Sequence, residues 1–122
     1  QAAETLAGKV DGIFIPNDSV IQSAMTTVTE VARDKKIPVY GSSKAMVLSG
    51  AFATVAISDT KIGKLTAQMG LKYLKDGTAV KDIPSVVVPA EETVINQNTL
   101  DALGVTVPDD IKNSAIIVND AE

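Results

Sequence analysis

Three groups of polar side chains each follow a short apolar run and precede an amphipathic segment. Asn17, Asp18 and Ser19 follow Val10–Ile15; Ser42 and Ser43 follow Ile37–Tyr40; Ser58 and Asp59 follow Ala53–Ile57. A carboxylate suits a cationic group such as an α-ammonium, and hydroxyls suit a carboxylate or a sugar hydroxyl. The same residue types also cap helices. We therefore predict a ligand-binding role for these seven residues, and keep helix capping as the alternative for each group.

Catalysis and metal binding are not predicted for these groups. The chain has no His and no Cys, so the usual general base, thiolate ligands and disulfides are excluded. Asp18 and Asp59 could form a carboxylate pair for acid–base or metal chemistry, but Asp residues at such turns usually cap helices. No glycine-rich phosphate-binding motif occurs. We predict no enzymatic activity, no catalytic residue, no metal site and no cofactor.

The alternation of apolar runs with amphipathic helices predicts an α/β fold in three layers, with a mostly parallel sheet flanked by helices. In such sheets ligands bind at the carboxyl ends of the strands, where the three polar loops would gather. The predicted strands are Gly12–Ile15, a strand beginning at Pro38, Ala53–Ile57, Val86–Val88 and Thr93–Ile95. The predicted helices cover 20–34, a short segment from Ser42 or Ser43 to Gly50, a segment from Asp59 or Thr60 to Gly77, and Thr99–Leu103, while 114–118 stays unassigned.

Composition restricts the partners. The net charge of −4 argues against sequence-independent nucleic-acid binding, which needs clustered cations. No apolar stretch approaches the roughly twenty residues that span a bilayer, so we predict no membrane insertion by this segment and see no targeting signal in it. Gln1–Ala7 is typical of a helix end, closed by Gly8. A domain rarely begins in mid-helix, so we expect a fragment whose upstream part is absent.

From Val10 to Pro108 the chain resembles the carboxyl-terminal part of an ABC-transporter solute-binding protein of the tryptophan or tyrosine transporter group. The resemblance rests on the order and spacing of short segments. They are Val10–Pro16 with Asp18 just after it, Lys36–Ser42, Met46-Val47, Gly50-Ala51, Ala53–Val55, Gly63, Tyr73–Gly77, Ile83-Pro84, Val94–Asn96 and Leu103–Val105.

The resemblance implies one lobe of a two-lobed periplasmic-binding-protein type I fold that traps a small polar solute, with an amino acid as the candidate. Residues 1–85 would form the solute-binding lobe, without its opening βαβ, and 86–122 a terminal crossover segment and tail. The full-length protein would be extracytoplasmic, periplasmic or a membrane-anchored lipoprotein, and would deliver solute to an ABC-transporter permease. One departure concerns the third loop, where the family usually has an aromatic after Asp and this chain has Thr60.

Two other functions are alternatives to solute binding for transport. The runner-up function is the effector-binding lobe of a lactose-repressor-type transcription regulator, which shares the two-lobed architecture; an enzyme of flavodoxin-like or sugar-phosphate type is disfavoured by the site chemistry.

If preceding strands are absent, the edge of Gly12–Ile15 is bare. A bare apolar edge is a template for strand pairing, so we predict self-association through it.

Overall fold

The structure is a computed structural model that describes residues 2–6 and 8–121, and it contains two compact units. The first unit comprises Gln1–Ala56 with Glu92–Glu122, and the second comprises Ile57–Glu91. The strands are β1 (Ile13–Phe14), β2 (Val39–Tyr40), β3 (Ala53–Ala56), β4 (Glu92–Asn96) and β5 (Ile116–Val118). The helices are α1 (Ala2–Leu6), α2 (Ser19–Ser23), α3 (Met25–Asp34), α4 (Lys44–Leu48), α5 (Asp59–Leu74), α6 (Gln97–Leu103) and α7 (Asp109–Ser114), with a 3-10 turn at Val80–Asp82.

The five strands form one sheet in the order β1-β2-β3-β4-β5. β1, β2 and β3 are parallel neighbours, with Phe14 level with Tyr40 and Tyr40 level with Ala53. β4 returns antiparallel to β3, and β5 lies parallel to β4. The predicted mostly parallel α/β sheet is confirmed. Its first three strands end at the same edge, which brings the loops after β1 and β2 together.

The core of the first unit is aliphatic, as expected for a chain with few aromatic residues. Met46 and Val47 of α4 and Met25 of α3 are buried in one cluster with Val39 of β2, Val94 of β4, and Ile15 just after β1. A smaller cluster joins Phe52 and Ile95 to Leu100 and Leu103 of α6. Helix positions with a 3.6-residue spacing therefore face the sheet, and their burial fixes the loops that lie between strand and helix.

Several element boundaries differ from those predicted. The continuous helix over 20–34 is wrong, because the Ala24 N–H bonds the Ile21 carbonyl three residues back and ends α2 before α3 begins. β1 and β3 are shorter than predicted, and Asn96 and Gln97 extend β4 and α6 beyond their predicted limits. The unassigned tail segment forms β5, which pairs with β4. The predicted helix end at Gln1–Ala7 is observed as α1, with Gly8 at φ 76°, while Gln1 and Ala7 lie outside the described residues.

The second unit contains α5 and an extended segment. Ser58 accepts a hydrogen bond from the Lys61 amide (3.4 Å) at the start of α5, and Lys61 forms an ion pair with Glu91 (2.6 Å). The predicted strand at 86–88 is wrong: it stands between Pro84 and Pro89, and the described residues of this unit include no strand that could pair with it. Helices long and apolar enough to cross a membrane are absent from residues 2–6 and 8–121.

Candidate functional site

Asp18 lies at the turn from β1 into α2, and the two oxygens of its carboxylate are used differently. Its Oδ1 accepts hydrogen bonds from the amides of Val20 and Ile21, both at 2.9 Å, so it is the N-cap of α2. Within the described part of the chain, Oδ2 has no hydrogen-bond partner. The predicted capping role is therefore real and uses one oxygen, which leaves the other oxygen and the negative charge available to a ligand.

Asn17 and Ser19 flank this carboxylate. Both are exposed, and neither side chain makes a hydrogen bond to any residue within 2–6 or 8–121. Capping does not occupy them, since Asp18 serves that purpose alone. The loop after β1 thus offers an amide, a carboxylate oxygen and a hydroxyl that the fold does not consume.

Ser42 and Ser43 follow β2 and are half-buried. Ser43 caps α4 weakly, with 3.4 Å between its Oγ and the Met46 amide nitrogen. The Ser42 hydroxyl contacts only the Met46 Sδ, at 3.7 Å, which is a weak acceptor. The sequence allowed either serine to cap α4, and the structure shows that Ser43 is the cap. Ser42 therefore keeps most of its hydrogen-bonding capacity.

The sheet register brings these two loops together. Phe14 is level with Tyr40 on adjacent parallel strands, which lie roughly 4.8 Å apart. Asn17 begins three residues after Phe14 and Ser42 two residues after Tyr40, at the same edge of the sheet. A single small molecule can therefore contact both loops.

Ser58 and Asp59 belong to the second unit. Ser58 is half-buried and caps α5, while Asp59 is the exposed first residue of that helix. Thr60 follows inside α5, so the helix and not a loop occupies the position where the family usually has an aromatic. Across residues 2–6 and 8–121, no three His, Cys, Asp or Glu side chains are grouped so as to hold a metal ion.

A cavity of about 430 Å³ adjoins Ser42, and the sequence analysis had not singled out its aromatic lining. Phe14, Tyr40 and Val55 line it together with Ser42. The Tyr40 ring packs edge-on against Phe52, with centroids 5.6 Å apart. Phe14 and Tyr40 lie on the same face of the sheet, and the helices of the first unit leave both partly exposed. The alternation of side chains along a strand was the sequence signal that could have placed them on one face.

A second polar cluster lies at the other end of the strands, near the start of β3 and the end of β4. Arg33 donates through Nη1 and Nη2 to both carboxylate oxygens of Asp120 (2.8 and 2.7 Å), and Asn96 Nδ2 donates to Asp120 Oδ1 (2.8 Å). The Arg33 hydrogen bond is the main reason that the pKa of Asp120 lies below its usual value, against a smaller opposing effect of burial. Arg33 Nη2 also donates to the Gly50 carbonyl (3.2 Å), so this cluster fixes the tail to α3 and does not form part of the strand-end site.

The fold places polar side chains at the carboxyl ends of parallel strands, which is where α/β proteins that bind small molecules have their sites. The chain belongs to the ABC transporter substrate binding protein family, whose model matches residues 1–119. The resemblance inferred from the order of short segments is confirmed.

The relatives are consistent with this assignment. A tyrosine-binding protein of Clostridioides difficile is 38% identical over 103 residues, which are 84% of this chain and 30% of that protein. A substrate-binding protein with adhesive properties from Clostridium difficile, in its ligand-free, open form, matches 99% of this chain at TM-score 0.82 and 30% identity. An ABC domain from Streptococcus pneumonia in complex with L-Trp matches 95% at TM-score 0.82 and 32% identity. The chain spans 30% of the curated relative and 40% and 39% of the two solved chains.

Proposed function

We propose that this chain supplies part of the solute site of a two-lobed, non-enzymatic binding protein that delivers an amino acid to an ABC-transporter permease. The observation that carries the proposal is the Asp18 carboxylate, which uses Oδ1 to cap α2 and keeps Oδ2 for a ligand. Ser42 lies in the neighbouring loop with its hydroxyl weakly engaged. The family assignment supports transport and does not favour a lactose-repressor-type regulator.

The two loops suit the two ends of an amino acid. Asp18 would accept from the α-ammonium, because its free carboxylate oxygen can form a charge-assisted hydrogen bond with that group. Ser42 and Ser43 would donate to the α-carboxylate through their hydroxyls, while Asn17 and Ser19 would complete the polar contacts. Ser58 and Asp59 are proposed from the family resemblance, since they follow the third strand in the same way.

An aromatic side chain is the first to test. A relative is a tyrosine-binding protein, and a structural neighbour was solved with L-Trp. Thr60 removes one aromatic neighbour from the expected site. The half-exposed ring of Tyr40, which lines the same cavity as Ser42, offers an aromatic surface next to the proposed carboxylate contact.

The proposed mechanism is a population shift between open and closed lobes. A solute that touches both lobes only in the closed form stabilises that form, and the permease recognises it. The full-length protein would act outside the cytoplasm, in the periplasm or as a membrane-anchored lipoprotein. The terminal segment over 86–122 would act as the crossover, with residues 1–85 as the solute-binding lobe.

Calorimetric titration of L-Tyr and L-Trp into the chain tests the proposal. A two-lobe site of micromolar affinity represents about −8 kcal/mol, so a lobe with half of the contacts should bind at roughly millimolar Kd. Asp18→Asn is the decisive variant, because the amide oxygen still caps α2 while the charge that attracts the ammonium is lost. We expect binding to weaken at least tenfold.

The matched control is Asp11→Asn, which removes the same charge from an exposed residue without hydrogen bonds to the described part of the chain. Its affinity should equal that of the wild type. Equal affinity of Asp18→Asn and wild type would contradict the ammonium assignment, and submicromolar binding by the wild-type chain would contradict a site divided between two lobes.

A further inference from the structure

The side chain of Asn96 joins three elements at the end of the strands away from the candidate site. Asn96 is fully buried at the end of β4, and its Oδ1 caps α6 by accepting the Thr99 amide (3.0 Å). Its Nδ2 donates to the Val47 carbonyl of α4 (2.7 Å) and to Asp120 Oδ1 (2.8 Å). Asn96 therefore has no surface for a ligand, and it ties α4, α6 and the tail to one another.

The carboxyl end of α4 is held by bonds from outside the helix. Each of the four successive carbonyls from Val47 to Gly50 accepts such a hydrogen bond. The donors are, in that order, Asn96 Nδ2 (2.7 Å), the Ala121 amide (2.8 Å), Thr29 Oγ1 (3.0 Å) and Thr99 Oγ1 (2.8 Å). The last carbonyls of a helix lack intrahelical partners, so these bonds both satisfy the end of α4 and fix its position.

The amino end of α4, next to the solute loop, is held less firmly. Ser43 accepts the Met46 amide at Oγ and the Val47 amide at its carbonyl, each at 3.4 Å. Both distances exceed the usual range of about 2.7–3.2 Å. Burial of Met46 and Val47 presses the helix against the sheet, but apolar packing has no direction along the helix axis. Because α4 is only about 8 Å long, a shift at its anchored end also moves Ser42 and Ser43.

We propose that Asn96 is a positioning residue of the solute site. By anchoring the carboxyl end of α4, it holds Ser42 and Ser43 where their hydroxyls can donate to a solute carboxylate. This role rests on the proposed function for its ligand, whereas the order of the loop is a property of the chain alone. When the bond from Asn96 to Val47 is lost, the order of the loop and the affinity for the solute should fall together.

Asn96→Thr removes this bond and keeps the cap of α6. Threonine is close to asparagine in volume, suits a strand and can cap a helix, but its hydroxyl is too short to reach the Val47 carbonyl. That carbonyl still accepts the Gly50 amide (3.1 Å), so it is not left unpaired. Leu103→Ala is the matched control, because Leu103 is buried in the cluster with Phe52, and its truncation destabilises the first unit without removing a bond to α4.

Backbone ¹⁵N relaxation of the ligand-free chain measures the order of the loop. In Asn96→Thr we expect the order parameters at Ser42–Lys44 to fall from about 0.85 towards 0.6. In Leu103→Ala they should equal those of the wild type, because the folded molecules keep every bond to α4. Thr29→Val removes the neighbouring bond to the Ser49 carbonyl and is the second variant if Asn96→Thr does not fold. It should lower the same order parameters by a smaller amount.

Calorimetric titration of L-Trp into the same variants measures the consequence for binding. We expect Kd to rise about fivefold in Asn96→Thr and to stay unchanged in Leu103→Ala. Unchanged order parameters at Ser42–Lys44 in Asn96→Thr, or an equal rise of Kd in Leu103→Ala, would overturn the positioning role. A wild-type chain that binds no amino acid would contradict the proposed function instead, and the order parameters alone would then decide whether Asn96 positions the loop.

Discussion

Asp120→Asn should destabilise the first unit because it disrupts the pairing of the tail with Arg33. The wild-type carboxylate accepts from Arg33 Nη1 and Nη2 (2.8 and 2.7 Å) and from Asn96 Nδ2 (2.8 Å). The asparagine retains one acceptor oxygen and directs an NH₂ group towards Arg33. One charge-assisted hydrogen bond is lost, which by itself is worth about 1.5–3 kcal/mol.

Solvent reduces this cost. The Asp120 side chain is 39% exposed and that of Arg33 is 21% exposed, so water replaces part of the lost interaction. We expect the free energy of unfolding to fall by about 1 kcal/mol at pH 7. Urea unfolding followed by far-ultraviolet circular dichroism measures this change.

The pH dependence identifies the cause. The pKa of Asp120 in the folded chain is lowered from 3.8, first by the Arg33 hydrogen bond. A depressed folded-state pKa gives stabilisation that is present above the unfolded pKa and is lost as the pH falls through the folded one. The difference between wild type and Asp120→Asn should therefore be constant from pH 7 to about pH 5 and shrink below about pH 4. An unchanged stability at pH 7, or a difference that grows in acid, would refute the role of the ion pair; Asp11→Asn is the charge-matched control.

Two further substitutions probe the packing beneath the loops by the same urea assay. Gly50 has φ 100°, and an added Cβ would lie 2.6 Å from Thr29 Oγ1, so Gly50→Ala should lower the free energy of unfolding by about 2–4 kcal/mol. Gly70→Ala, with open space in α5, should be neutral or stabilising. Met46 is fully buried, so Met46→Ala should cost about 2–4 kcal/mol, and half-buried Met69→Ala clearly less. Equal effects within either pair would contradict the assigned packing.

The sequence predicted the features of the fold that arise from local pattern. Apolar runs followed by polar loops located β1, β2 and β3, and glycine marked the end of α4 at Gly50, where φ is 100°. The break at Ala24 escaped prediction because alanine favours helix, and only the Ala24 amide bonding to Ile21 shows it. Val86–Val88 has strong β propensity, but a strand also needs a partner, which local sequence does not reveal.

The sequence likewise predicted only part of the candidate site and its surroundings. Capping by Asp18 and Ser43 follows from side-chain type and position, so both were predicted as alternatives. The pairing of Arg33 with Asp120 joins residues 87 positions apart, and the cavity next to Ser42 depends on which sheet face stays uncovered. Both are consequences of tertiary packing that no local motif encodes.

Amide NMR spectra of the ¹⁵N-labelled chain, titrated with L-Tyr to the limit of its solubility and with L-Trp to about 20 mM, test the proposed site most directly. The account predicts fast-exchange shifts with a roughly millimolar Kd, largest at Asn17–Val20 and Ser42–Lys44, and their loss in Asp18→Asn. Shifts confined to other parts of the chain, or no shifts with either amino acid, would contradict the assignment of the strand-end loops as a solute site.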